Sequence, residues 1–194
     1  MYMAKKNEFK PDRPQAGVLS KLYLTQKQRQ SILKWLLYSL VLLALSVLQD
    51  VILCRMRFFG ATTDLVPIGI FMICLLSGLQ DGCVFLLVST CLYQFSGTAP
   101  APYCIAVIVF LGIFVTYFRQ SFLQKRFSSA MVCVIFALVI YETVVFTVSL
   151  LQDLTVLGGI RTTLLTVLLS SCAAPLLYPL IKAIGTIGGE PWKE

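Results

Sequence analysis

One carboxylate interrupts an otherwise apolar run: Glu142, near the middle of residues 129–151. A carboxylate at the centre of a bilayer costs about 3 kcal/mol on insertion scales unless it is paired or neutral. Glu142 is therefore expected to face a helix interface or a cavity. Packing or contact with a partner is its first expected role, and a ligand site its second. Tyr93 and Gln94 are the candidate neighbours. Two further acids flank apolar runs. Asp50 lies one turn from the end of its run and can reach outward. Asp64 stands just before the next run, where it would favour a helix N-terminus.

Other chemistry is sparse. The chain has no histidine, which excludes Ser-His and Cys-His pairs and any His metal site. It contains no P-loop, GxSxG or HExxH. There are seven cysteines but no CxxC, so metal ligation is not expected. Cys74, Cys83, Cys91, Cys133 and Cys172 fall inside apolar runs and read as small hydrophobes. Cys54 and Cys104 lie near run ends, and a disulfide between them stays open. The expectation is a non-enzyme with no catalytic residue, cofactor or metal.

The elements that hold these residues follow from composition. Of 194 residues, 58% are hydrophobic and 13% charged, with a mean hydropathy of +0.84. Soluble domains are about 45–50% apolar and about 25% charged. The excess exceeds what one small core can bury, and lipid is the solvent that accepts it. The net charge of +7 does not point to nucleic acid, because eight of the sixteen basic residues lie at or before Lys34. Such a cluster beside a hydrophobic span orients it and attracts anionic lipid, at about 1 kcal/mol per residue.

The first apolar run begins too late and is too long for a cleavable leader. Residues 1–31 form a basic cytoplasmic tail, partly disordered. Within it, Leu19, Leu22 and Tyr23 share a helical face, which fits a short interfacial helix or a solvated tail equally. Thr25 and Gln28 have capping-box spacing. Residues 32–186 form the membrane domain and 187–194 a short tail. Six spans are expected, at 33–53, 65–79, 83–95, 103–118, 129–151 and 162–184. Gln80-Asp81-Gly82 is the expected hinge between spans two and three. Both of these are short, and two crossings are preferred to a re-entrant hairpin because the charges then alternate. Gly78 and Gly82 have GxxxG spacing, but a turn explains them better. Ser170 and Ala174 have the small-xxx-small spacing of a helix interface. Pro175 and Pro179 should kink span six.

With the N-terminus inside, the inner segments hold thirteen basic residues and the outer ones Arg55, Arg57 and Arg161. The positive-inside rule then puts both termini in the cytoplasm. The spans must be helices, since lipid offers the backbone no hydrogen bonds.

Several local segments resemble the rod shape-determining protein MreD family. Asp64-Leu65-Val66-Pro67 opens span two like that family's Pro-Asp-Leu, with Thr63 where its proline stands. Gly78 and Gly82 punctuate the link to span three. That span ends Leu92-Tyr93-Gln94-Phe95-Ser96-Gly97, similar to the family's Leu-Xaa-Asp-Leu-Xaa-Ser-Gly, with Gln94 in place of the acid. Pro102-Tyr103 and Leu176-Leu177-Tyr178-Pro179-Leu180 add to the likeness.

The resemblance implies a non-enzymatic scaffold subunit of the bacterial cell-wall elongation complex. Its partners would be MreC, the MreB filament and the RodA–transpeptidase pair, and the fold an S-component-like bundle. Contact with a partner's span would fall on Glu142 and spans two and three. The alternative is a substrate-binding S component of an energy-coupling-factor vitamin transporter. That would need polar and aromatic groups around one cavity at outer loops and span ends, and the outer loops here are polar-poor.

Overall fold

A computed structural model describes residues 26–53, 55, 61–77, 79–97, 99–122, 127–152 and 159–188. The regular elements among them are all helical. They are α1 (Gln26–Leu48), α2 (Leu65–Ser77), α3 (Leu79–Phe95), α4 (Cys104–Phe122), α5 (Phe127–Leu151) and α6 (Ile160–Gly185). A π-helical turn, Gln49–Leu53, extends α1, and a 3-10 turn, Thr186–Gly188, closes α6. Three helical stretches are long and apolar enough to cross a membrane: Arg29–Leu53, Phe127–Leu151 and Ile160–Gly185. The other three are shorter.

The shortest helix is the hub. α2 packs against α1, α3, α4, α5 and α6, and Leu65 through Leu75 are all buried. A helix that is hydrophobic on every side must be enclosed. Its thirteen residues rise about 20 Å, short of a hydrocarbon core of about 30 Å. The neighbours, rather than lipid, supply its surroundings. Their outer faces carry the exposed apolar residues, such as Leu43 on α1, Val88 on α3, Phe110 on α4 and Leu176 on α6.

Successive helices alternate in direction. At one end of the bundle the starts of α1 and α3 meet, with Phe85 packed on Trp35 and Tyr38 at ring separations of 5.6 and 5.8 Å. The start of α5 meets the end of α6 there too, where Phe127 sits edge-on to Tyr178 at 4.8 Å. At the opposite end lie the finish of α1, the start of α2 and the finish of α3.

One feature differs from the sequence reading. Gln80, Asp81 and Gly82 are not a hinge but the first turn of α3, which starts at Leu79. Gly82 is instead a crossing point: a Cβ there would sit 3.2 Å from the Cys74 carbonyl of α2. The Cys74 thiol donates to the Gly82 carbonyl at 3.6 Å. Gly82 thus serves close helix approach, the role that a turn had seemed to explain better. Span six is a single helix that contains Pro175 and Pro179, both exposed. Its buried stripe is Ser170, Ala174, Tyr178, Ile181 and Ile184, so the small-residue spacing does mark an interface. Gly97 takes φ +75° in the turn after α3. Cys74 and Cys104 are buried thiols, whereas Cys91 and Cys172 are exposed. Gly78, Cys54 and residues 1–25 and 189–194, with the capping-box Thr25, lie outside the described residues, and the last residues assigned to the basic tail, 26–31, belong to α1.

Candidate functional site

The site begins with a backbone problem. A helix starts with N–H groups that have no partner within the helix, and the start of α2 is buried. The solution comes from distant side chains. Gln49, in the π turn after α1, accepts from the Leu65 and Val66 amides with its Oε1, at 3.0 and 3.1 Å. Pro67, at the third position, has no N–H to satisfy. The Asp64 amide donates to Ser170 Oγ on α6 at 3.0 Å. The first turn of α2 is therefore capped by two other helices.

The carboxyls follow from that arrangement. Gln49 Nε2 donates to Asp64 Oδ1 at 3.2 Å. The Glu142 carboxyl of α5 lies close enough to Asp64 for the two groups to act on one another. Two carboxylates both ionised would repel, and neither would have a hydrogen to give. Charge on both at once is therefore unfavourable in these surroundings. Asp64 is half-buried at the bundle end, and Glu142 behind it is only 6% exposed. Around them stand Tyr93 of α3, Cys104 of α4 and Tyr141 of α5, all close enough to feel the Asp64 charge. Glu142 Oε1 is buried without a hydrogen-bond partner, and the Tyr141 hydroxyl sits among Tyr93 and Cys104.

All six helical segments contribute to this cluster, directly or through a capping bond. The acid beside Glu142 is Asp64, which the sequence reading treated only as a favourable charge near a helix start. Of the neighbours expected for Glu142, Tyr93 lies in the cluster. The Gln94 side-chain oxygen is buried without a partner. Gln49 and Tyr141 were missed altogether. Ser170 had been noticed for its size rather than its hydroxyl. Gly82, Gly97, Pro175 and Pro179 lie outside the cluster, and Asp50 is exposed as its position suggested. Among the described residues, no group of three or more His, Cys, Asp or Glu side chains is gathered as for a metal ion.

Two grooves open on the outer surface. One, of about 400 Å³, separates α1 from α3 and has Val66 of α2 among its lining residues. Ser39, Ser46, Ser89 and Ser96 line it, and each hydroxyl donates to a carbonyl of its own helix. The serines thus present small, satisfied surfaces. Tyr93 lines this groove as well, so one side chain joins it to the carboxyl cluster. The other groove, of about 620 Å³, runs between α4 and α5 and is lined by Phe114, Phe118 and Phe136 among others. No family model matches the chain, and no curated protein or solved structure matches it significantly.

Proposed function

We propose that this chain is a non-enzymatic membrane scaffold of the bacterial cell-wall elongation complex, which holds a partner's transmembrane helix in the cleft between α1 and α3. The cleft is the observation that carries this reading. It is largely apolar, and four serines among its larger lining residues give points where a helix backbone can come close. The expected contact surface shifts accordingly. Glu142 and α2 are covered by the protein itself, so contact falls on the exposed faces of α1 and α3. The likeness of residues 64–67 and 92–97 to the MreD family supplies the identity of the complex, with MreC the first partner to seek.

The proposed topology has six crossings and both termini in the cytoplasm. It draws support from the thirteen basic residues on one side against three on the other, and from the alternating helix directions. Shielding of α2 by its neighbours removes the objection that it is short. The basic tail would lie against anionic lipid.

The test is site-specific photocrosslinking in cells. A photoreactive residue at Leu43 or Val88, exposed on the two cleft walls, should capture MreC, while one at Phe110 on α4 should not. Depletion should give rounded cells with reduced side-wall synthesis. Rod shape unchanged after depletion, with no crosslink from either wall, would sink the proposal. One observation favours the S-component reading: Gln49, Tyr93, Tyr141 and Glu142 gather polar groups at a single bundle end. Recovery of a stoichiometric vitamin with the purified protein would favour that reading instead.

A further inference from the structure

We propose that the groove between α4 and α5 seats one acyl chain of an anionic phospholipid, with the lipid's phosphate at the groove mouth beside Arg119, Ser128 and Ser129.

The groove takes its shape from the order of small and large side chains. Val115 of α4 and Ala137 of α5, both buried, close its floor. Phe114 and Phe118, stacked at 5.9 Å, form one rim, and Val132 and Phe136 the other. Phe114, Val132 and Phe136 are exposed, so the trough opens sideways, toward the surroundings of the bundle. Its lining on α5 runs from Ser128 to Ile140, a rise of about 18 Å. Half of a hydrocarbon core of about 30 Å is about 15 Å. The groove therefore covers about the depth of one leaflet, from one bundle end toward the middle. Its volume of about 620 Å³ falls within the range of small-ligand sites, about 300–1,000 Å³. In a bilayer such a trough gains little by excluding solvent, since lipid tails are as apolar as its walls. Selection of an occupant must come from the mouth.

The mouth is positive. Phe118 near the end of α4 and Ser128 at the start of α5 both line the groove, so it opens where those two ends meet. Arg119 stands in the last turn of α4, four residues beyond Val115 and thus on the same helix face. Lys182 of α6 flanks the start of α5. Its Nζ lies 5.7 Å from the Tyr178 ring, which packs on Phe127 at 4.8 Å. Ser128 and Ser129 add two hydroxyls, and the start of α5 adds the positive end of its dipole. Between Gly82 and Tyr141 the sequence has three basic residues and no acidic one. Asp81, the described acid at this end of the bundle, stands on α3 and is not among the groove's lining residues. A phosphate with no charge of its own to offset it is matched here. A zwitterionic headgroup brings a second, positive charge that is not. The inference requires that the chain span a membrane, and it does not depend on the scaffold reading.

The test uses the full-length protein in lipid nanodiscs that contain a trace of phosphatidylglycerol with a diazirine on its acyl chain. After irradiation, peptide mass spectrometry locates the adducts. Labelling should be several-fold heavier at Phe114, Val132 and Phe136 than at Leu176, which is exposed on α6. Groove labelling should fall several-fold when the bulk lipid is phosphatidylglycerol rather than phosphatidylcholine, while labelling at Leu176 stays the same. Val132→Trp should fill the trough and abolish the excess. Arg119→Gln should abolish the difference between the two bulk lipids. The proposal is overturned if all outer faces label alike, or if the two bulk lipids give the same groove labelling. It is also overturned if a photoreactive residue at position 132 captures a protein in cells, which would make a partner helix the occupant. The wild-type comparison needs no variant, so a substitution that prevents folding leaves the test intact. Capture of a partner from Leu43 or Val88 is read separately, so failure here leaves the scaffold reading untouched.

Discussion

Gln49 carries more of the structure than its position at a helix end suggests. It satisfies two amides of α2 and one oxygen of Asp64. Gln49→Leu removes all three bonds while leaving the buried groups behind. Each orphaned buried group costs about 1–3 kcal/mol, so we expect a loss of about 3 kcal/mol or more. It would be read as a lowered thermal midpoint in mild detergent. Ser170→Ala strands only the Asp64 amide and should cost about 1 kcal/mol in the same assay. Gly97 gives a contrasting case. Nothing lies within 4 Å of a Cβ built there, yet φ is +75°. Gly97→Ala should therefore destabilise by about 1 kcal/mol through backbone strain alone, and Gly97→Asn by less. A variant as stable as wild type would refute that account. The sequence revealed Glu142 because a lone carboxylate in an apolar run is conspicuous. Its neighbour Asp64 was not legible as such. The Asp64–Ser170 bond spans 106 positions, and no periodicity within a single helix encodes a contact of that separation. Gln49, beside the exposed Asp50, reads as one more polar residue at a span end until α2 is placed against it.

At the scale of elements, the α2–α3 pair shows why helices were easier to read than their junctions. Apolar runs fixed where α4, α5 and α6 lie to within two residues at their starts. The polar triplet Gln80-Asp81-Gly82 looked like a break because two charged or polar residues and a glycine usually mark one. In the fold, Asp81 is exposed on the first turn of α3 while Gly82 faces α2, so polarity and helicity coexist on opposite faces. Gly82→Ala brings a methyl to 3.2 Å from the Cys74 carbonyl, and backbone yields less readily than a side chain. We expect about 1 kcal/mol of destabilisation from Ala and clearly more from Leu. Thermal unfolding in detergent would show this ordering, and equal midpoints would count against a tight crossing. The α1–α3 cleft is tested separately. Val88→Trp should fill it and abolish partner capture without lowering the thermal midpoint, because Val88 faces outward.

For the whole molecule, the proposed topology makes a prediction that neither stability nor partner binding can mimic. In a background lacking the native cysteines, Thr162→Cys at the start of α6 should react with a membrane-impermeant thiol reagent added to intact cells. Ala183→Cys at its other end should react only after permeabilisation. Both positions are exposed, so burial does not bias the comparison. The reverse pattern would invert the assignment of sides, and reaction of both from outside would end the six-crossing proposal. The six-helix count was legible because composition and apolar run length dictate it. The central place of α2 was not, since an enclosed helix and a lipid-facing one are both uniformly apolar.

The capping of α2 by α6 also bears on how such a chain is made. Synthesis runs from the N-terminus at about 5–20 residues per second. Gln49 is already available when α2 leaves the ribosome, but Ser170 follows Asp64 by 106 positions. In the proposed topology α2 would thus wait roughly 5–20 s for its last helix neighbour. During that interval a thirteen-residue helix is too short to rest stably in lipid by itself. Biogenesis of this bundle therefore calls for a holding step, in which the insertion machinery shelters α2 with α1 and α3 and releases it only when α6 arrives.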